Sequence, residues 1–136
     1  MTKTYHSFDI HSTLLTLDDQ GGVTLLPVND TFWQDLDAGK YGDFAGGRRL
    51  VTSFSFDKDW PTWEMHPAGE EFVCLLSGEV DLVLQQDGAE KVVRLNKPGA
   101  YVIVPRGIWH TARISKTCSM LFITPGEGTE NRPIAS

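Results

Sequence analysis

Nine short runs of alternating apolar and polar residues, separated by turn signals, dominate the patterning of this chain and leave little room for helix. They are STLLTL (12–17), GVTLLPV (22–28), RLVTSFSF (49–56), EFVCLLS (71–77), EVDLVLQ (79–85), EKVVRL (90–95), AYVIVP (100–105), IWHTARI (108–114) and CSMLFIT (118–124). A period of two puts alternate side chains on opposite faces, which suits a half-buried strand. Between the runs stand Asp18-Asp19, Gly21-Gly22, Gly46-Gly47, Gly78, Asp87-Gly88, Pro98-Gly99 and Arg106-Gly107. Asp87-Gly88 is the strongest hairpin signal, because glycine accepts the positive φ that a tight turn between twisted strands requires. Many strands at this spacing predict an all-β sandwich or barrel. Residues 30–44 read as a short helix or an irregular arm. The tail from Pro125, rich in glycine, proline and polar residues, reads as a loop that frays toward its end.

The 136 residues suit a single domain, 1–136, whose core needs no disulfide or metal staple. A net charge of −6, with no basic cluster beyond Arg48-Arg49, argues against nucleic acid and anionic membranes as partners. Cys74 and Cys118 lie in apolar runs without metal-ligand spacing and are expected to be free buried thiols. The first twelve residues lack the apolar stretch of a secretory signal, and no apolar run approaches a membrane span. The expected location is the reducing cytoplasm.

The stretch WEMHPAGEEFVCLLSG (63–78) stands out because it places ionisable groups at the mouth of a core strand. A buried carboxylate is costly unless it is paired, hydrated or bound to a metal. If residues 62–66 form a strand, Glu64 and His66 share a face, while Trp63 and Met65 take the other. After the Pro-Ala-Gly turn, Glu71 shares a face with Val73 and Leu75. His110 follows a Pro-Arg-Gly turn and opens another strand. If these faces line one interior, two imidazoles and two carboxylates converge there.

Both stretches resemble the paired motifs of the cupin superfamily. The family's first motif has Gly, five residues, His-x-His, three or four residues, Glu, six residues and Gly. Here His66, Glu71 and Gly78 keep that spacing. The second has Gly, five residues, Pro-x-Gly, two residues, His, three residues and Asn; Gly99, Pro105, Gly107 and His110 match it. The motifs span 64–114. Three positions depart: Glu64 replaces the first histidine, Lys58 the opening glycine and Ile114 the closing asparagine.

The resemblance implies a double-stranded β-helix, the cupin jelly roll, with extra N-terminal strands. It also implies one divalent metal ion, Fe, Mn or Zn, held by His66, Glu71 and His110 with Glu64 in the fourth place. Two histidines and a carboxylate with open positions are the donor set of non-haem iron oxygenases. Glu64 or Glu71 would supply that carboxylate, leaving the other as a base or an outer partner; Glu64 is the candidate catalytic residue. Trp60, Trp63 and Trp109 flank the motifs as packing residues, with stacking on a substrate as the alternative role. Arg106, at the rim, is a candidate for gripping a carboxylate. The candidate substrate-binding set is therefore Trp63, Arg106 and Trp109. Phe54 and Phe56 read simply as a half-buried strand, and His6 and His11 as ordinary hydrogen-bonded residues near the terminus. The function implied is a metal-dependent enzyme acting on a small polar organic molecule, with non-haem oxygenase chemistry to the fore. A non-catalytic binding or sensor module on the same fold is the alternative. Phe72, Cys74 and Leu76 alternate with the inward set and form an outward apolar strip, which implies a homodimer.

Overall fold

The computed structural model describes residues 4–40 and 47–135. Nine strands and one short helix follow in the order β1 (Thr13–Leu17), β2 (Val23–Pro27), α1 (Phe32–Asp37), β3 (Arg49–Phe56), β4 (Thr62–Met65), β5 (Glu71–Gln86), β6 (Ala89–Leu95), β7 (Tyr101–Val104), β8 (His110–Pro125) and β9 (Glu130–Pro133). Residues 41–44 of the ambiguous 30–44 stretch, and residues 1–3 of the N-terminal reading, lie outside the described residues.

All strand pairs are antiparallel, and β5 and β8 form the spine. Their ladder runs from Phe72 opposite Ile123 to Leu84 opposite His110. The N-terminal half of β5 and the C-terminal half of β8 belong to a first sheet, ordered β2-β1-β3-β8-β5-β7. The other halves belong to a second sheet, ordered β9-β4-β8-β5-β6. The two sheets face each other across Val73, Leu75, Val80, Leu82, Met120 and Phe122, which makes the jelly roll that the resemblance implies. The β1–β2 hairpin is the N-terminal addition. Helix α1 packs Phe32 against Leu14, Leu26 and Leu50 on its inner side.

Two features differ from the sequence reading. Runs 71–77 and 79–85 are one strand, as are 108–114 and 118–124. Gly78 does not end β5. It marks a bulge, where the ladder slips between Leu75 and Asp81. Its φ is 79°, and a Cβ there would lie 2.0 Å from the Thr117 carbonyl oxygen, so the partner strand passes where a side chain would be. The tail also holds β9, paired with β4 from Thr62 opposite Pro133 to Met65 opposite Glu130. Its four residues are all exposed and carry no apolar alternation to announce them.

Candidate metal centre

Three chain segments bring the ionisable groups together. Glu64 pairs in register with His110, so β4 and β8 set these two side by side. His66 lies just beyond β4, where its carbonyl accepts a hydrogen bond from the Gly107 N–H at 3.1 Å. That bond ties the first motif to the Pro-Arg-Gly turn of the second. Gly107 has a φ of 76°, which favours glycine at that corner. Glu71 opens β5 on the inward face shared with Val73 and Leu75.

The result is a compact cluster in which one donor atom from each of Glu64, His66, Glu71 and His110 lies within 4.8 Å of the others. His66 Nε2 is 2.8 Å from Glu64 Oε1 and 3.2 Å from Glu71 Oε2, and His110 Nε2 is 3.1 Å from Glu71 Oε1. His66, Glu71 and His110 are at most 3% exposed, whereas the Glu64 side chain is 29% exposed.

The outer contacts decide which ring nitrogens carry protons. The Thr129 hydroxyl donates to the Gly126 carbonyl at 2.9 Å, so toward His66 Nδ1, 2.8 Å away, it acts as the acceptor. His110 Nδ1 lies 3.1 Å from the Ile108 carbonyl, which can only accept. Both histidines therefore hold a proton on Nδ1 and turn Nε2 inward. Thr124 donates to Glu71 Oε2 at 2.6 Å, leaving Oε1 for the centre.

His66 Nε2, His110 Nε2 and Glu71 Oε1 are buried, and none has a partner in hydrogen-bond geometry among the described residues despite their short separations. Buried polar atoms rarely go unsatisfied. Lone pairs that converge without pointing at one another fit a common cation, and two imidazoles with two carboxylates suit a divalent first-row ion. The carboxylates also draw positive charge to this point, as a proton on His66 or as an ion in its place. Burial by itself lowers the His66 pKa, but Glu64 and Glu71 outweigh it and raise it to about 9. Burial raises that of Glu71, but His110 and His66 outweigh it and lower it to about 2.

Glu64, His66 and Glu71 line one wall of a cavity of about 840 Å³. Facing them are Trp33, Phe54, Phe56, Trp60 and Phe122. Phe54 and Phe56 are thus more than a half-buried strand: they are cavity wall. The three residues of the expected substrate-binding set are not brought to this cavity. Trp63 alternates with Glu64, points to the other face of β4 and is 7% exposed. Trp109 packs under the Arg132 guanidinium, 4.4 Å from its ring centroid, beside a separate cleft with Gln85 and Glu90. Arg106 is exposed on its turn. Of the tryptophans flanking the motifs, Trp60 is the one at the cavity. Thr124 had a signal in the sequence: it is a polar residue in step with inward Met120 and Phe122. Thr129 had none, because its place depends on the fold of the tail.

No protein-family model matches the sequence, and no curated protein does. Solved structures do match. An oxalate oxidase aligns with 60% of this chain and 44% of its own, at 15% identity and a TM-score of 0.50. The chain folds as a cupin. A cupin-2 domain protein from Shewanella frigidimarina aligns over 57% of this chain and 70% of its own, at 16% identity and a TM-score of 0.48. Hydroxypropylphosphonic acid epoxidase from S. wedmorenis aligns over 56% and 43%, at 18% identity and a TM-score of 0.47. The chain thus spans less than half of the oxalate oxidase and epoxidase chains. Among its described residues, no helix is long and apolar enough to cross a membrane.

Proposed function

We propose that this cupin binds one divalent metal ion through Glu64, His66, Glu71 and His110, and that it is an enzyme acting on a small organic molecule in the adjoining cavity. One observation carries the reading. Three buried donor atoms, His66 Nε2, His110 Nε2 and Glu71 Oε1, converge without satisfying one another. When bound, the ion supplies Lewis-acid polarisation of ligand oxygen, and iron in this donor set supplies non-haem oxygenase chemistry.

The chain's own residues do the rest. Thr129 and the Ile108 carbonyl hold the imidazoles with Nε2 inward. Thr124 orients Glu71. Glu64 is the most exposed of the four and reaches the cavity, so where its carboxylate stands free of the ion it is the group placed to take a proton from a bound molecule. The aromatic wall excludes water from that side.

The same proposal includes a homodimer in the cytoplasm. Across the outer face of the first sheet, the registers align Leu25, Leu15, Val51, Ile123, Phe72 and Ile103 in one apolar row. Ile103 is 43% exposed and Tyr101, on the next row, 60%. Such a face favours a partner. Both cysteines are free, in keeping with a reducing compartment.

The test is elemental analysis of protein purified without a histidine tag. About one divalent ion per chain is expected. His66→Ala and His110→Ala should each strip the ion and leave the far-ultraviolet circular dichroism unchanged. Full occupancy in the double variant would overturn the assignment.

A further inference from the structure

The cavity's charge and lining narrow what it can hold. We infer that its ligand is an uncharged molecule carrying an aromatic ring, and that the site turns away small acids. The inference deepens the metal-enzyme reading and rests on it for the net charge of the centre.

The first observation is the wall of rings. Trp33 and Phe54 have centroids 5.5 Å apart, Phe56 and Trp60 5.5 Å, and Trp60 and Phe122 5.9 Å, with Phe54 and Phe56 linked at 6.5 Å. The series runs from helix α1, where Trp33 is 52% exposed, to Trp60, whose ring lies 6.4 Å from that of His110. A flat ring can slide along this wall and meet offset or edge-on partners throughout.

The second observation is the lack of cationic side chains. Among the described residues lining the cavity, none is lysine or arginine. Two carboxylates balance one divalent ion, so the centre offers no surplus positive charge. A carboxylate or phosphonate entering here would lose its water, gain no lysine or arginine, and meet an ion whose charge two carboxylates already balance, so its own charge would go largely uncompensated. The polar lining away from the centre consists of neutral groups, among them Thr52, Ser55, Thr62 and Asn131. These serve hydroxyl, carbonyl or amide groups.

Benzamide and benzoate provide the test, since they share a shape and differ in charge. Binding is measured by calorimetry on zinc-loaded protein at neutral pH. Benzamide should bind at least about tenfold tighter than benzoate, reflecting the unpaired anion. Trp33→Ala, a change at a half-exposed position that the fold tolerates, should weaken benzamide about two- to tenfold, the size of one aromatic contact. Phe56→Ala should weaken it as well. Equal or tighter binding of benzoate overturns the inference, as does no binding of benzamide at millimolar concentration or no effect of Trp33→Ala. Zinc content is read separately. Protein that holds no zinc yet prefers benzamide keeps the cavity inference and overturns the metal centre. Zinc-loaded protein that prefers benzoate does the reverse.

Discussion

Replacing Thr129 by valine tests whether the tail sets the state of the metal centre. The two side chains have nearly the same shape, so the change removes one hydroxyl and little packing. His66 Nδ1–H then loses its acceptor at 2.8 Å. Leaving a buried donor unpaired costs roughly 1–3 kcal/mol. Above pH ~9, where His66 is neutral, the loss also frees the imidazole to carry its one proton on Nε2, the atom that faces Glu64 and Glu71. An ion must displace a proton held there, so affinity should fall about 10- to 100-fold, the usual effect of removing a ligand's outer partner. Zinc affinity is measured by competition with a chromophoric chelator, and the tautomer by nitrogen chemical shifts of His66 in metal-free protein at a pH above about 9. Thr129→Ser keeps the hydroxyl and should bind zinc like the wild type. If Thr129→Val matches the wild type in zinc affinity and in His66 tautomer, the tail does not position the centre and the reasoning fails.

Four further outcomes follow from the same structure. Gly78→Ala should cost ~1–3 kcal/mol in backbone strain and ~1–3 kcal/mol in overpacking, read as a lowered urea midpoint, because its Cβ would meet the Thr117 carbonyl. Metal-free protein should be most stable between about pH 4.5 and 6.5. The His66 contribution is full below 6.5 and lost as pH rises through about 9, and the Glu71 contribution is full above 4.5 and lost as pH falls toward about 2. A melting temperature that stays level from pH 6 to 10 without metal would contradict this, whereas excess zinc should flatten the alkaline side. Light scattering at micromolar concentration should give a dimer, and Ile103→Glu should shift it to monomer; a monomeric wild type refutes the interface. Nitric oxide added anaerobically to Fe(II)-loaded protein should give a nitrosyl spectrum, and its absence would argue against oxygenase chemistry.

Much of this was legible in the sequence for physical reasons. Alternation reports which face of a strand is buried, so the strands and the inward set of Glu64, Glu71 and His110 could be read from residues alone. Spacing within the two motifs located the centre, because each motif is a strand, a turn and a strand with little freedom between them. Alternation does not say where a strand stops. Gly78 looked like a turn, yet a bulge keeps the ladder going with the same residue. Nor does a polar edge strand show itself: Glu130–Pro133 owes its conformation to hydrogen bonds with β4, not to burial. The aromatic wall of the cavity was not legible, because proximity in sequence to the motifs does not give proximity in space. Trp63 adjoins Glu64 within β4 and for that reason points away from it, and Trp109, just before β8, packs under Arg132 instead.

The β5–β8 ribbon gives the centre a mechanical meaning. Glu71 lies at one end of that ladder and His110 at the other. A flat ribbon of this length would hold them on the order of 40 Å apart at the usual rise per residue. Their side chains meet at 3.1 Å, so the ribbon has curled until its ends touch. The polar cluster is the clasp of that hoop. Anything that tightens the clasp should be felt in the bend at Gly78, far from any ligand, and hydrogen exchange at the amides around the bulge should slow when the centre is filled.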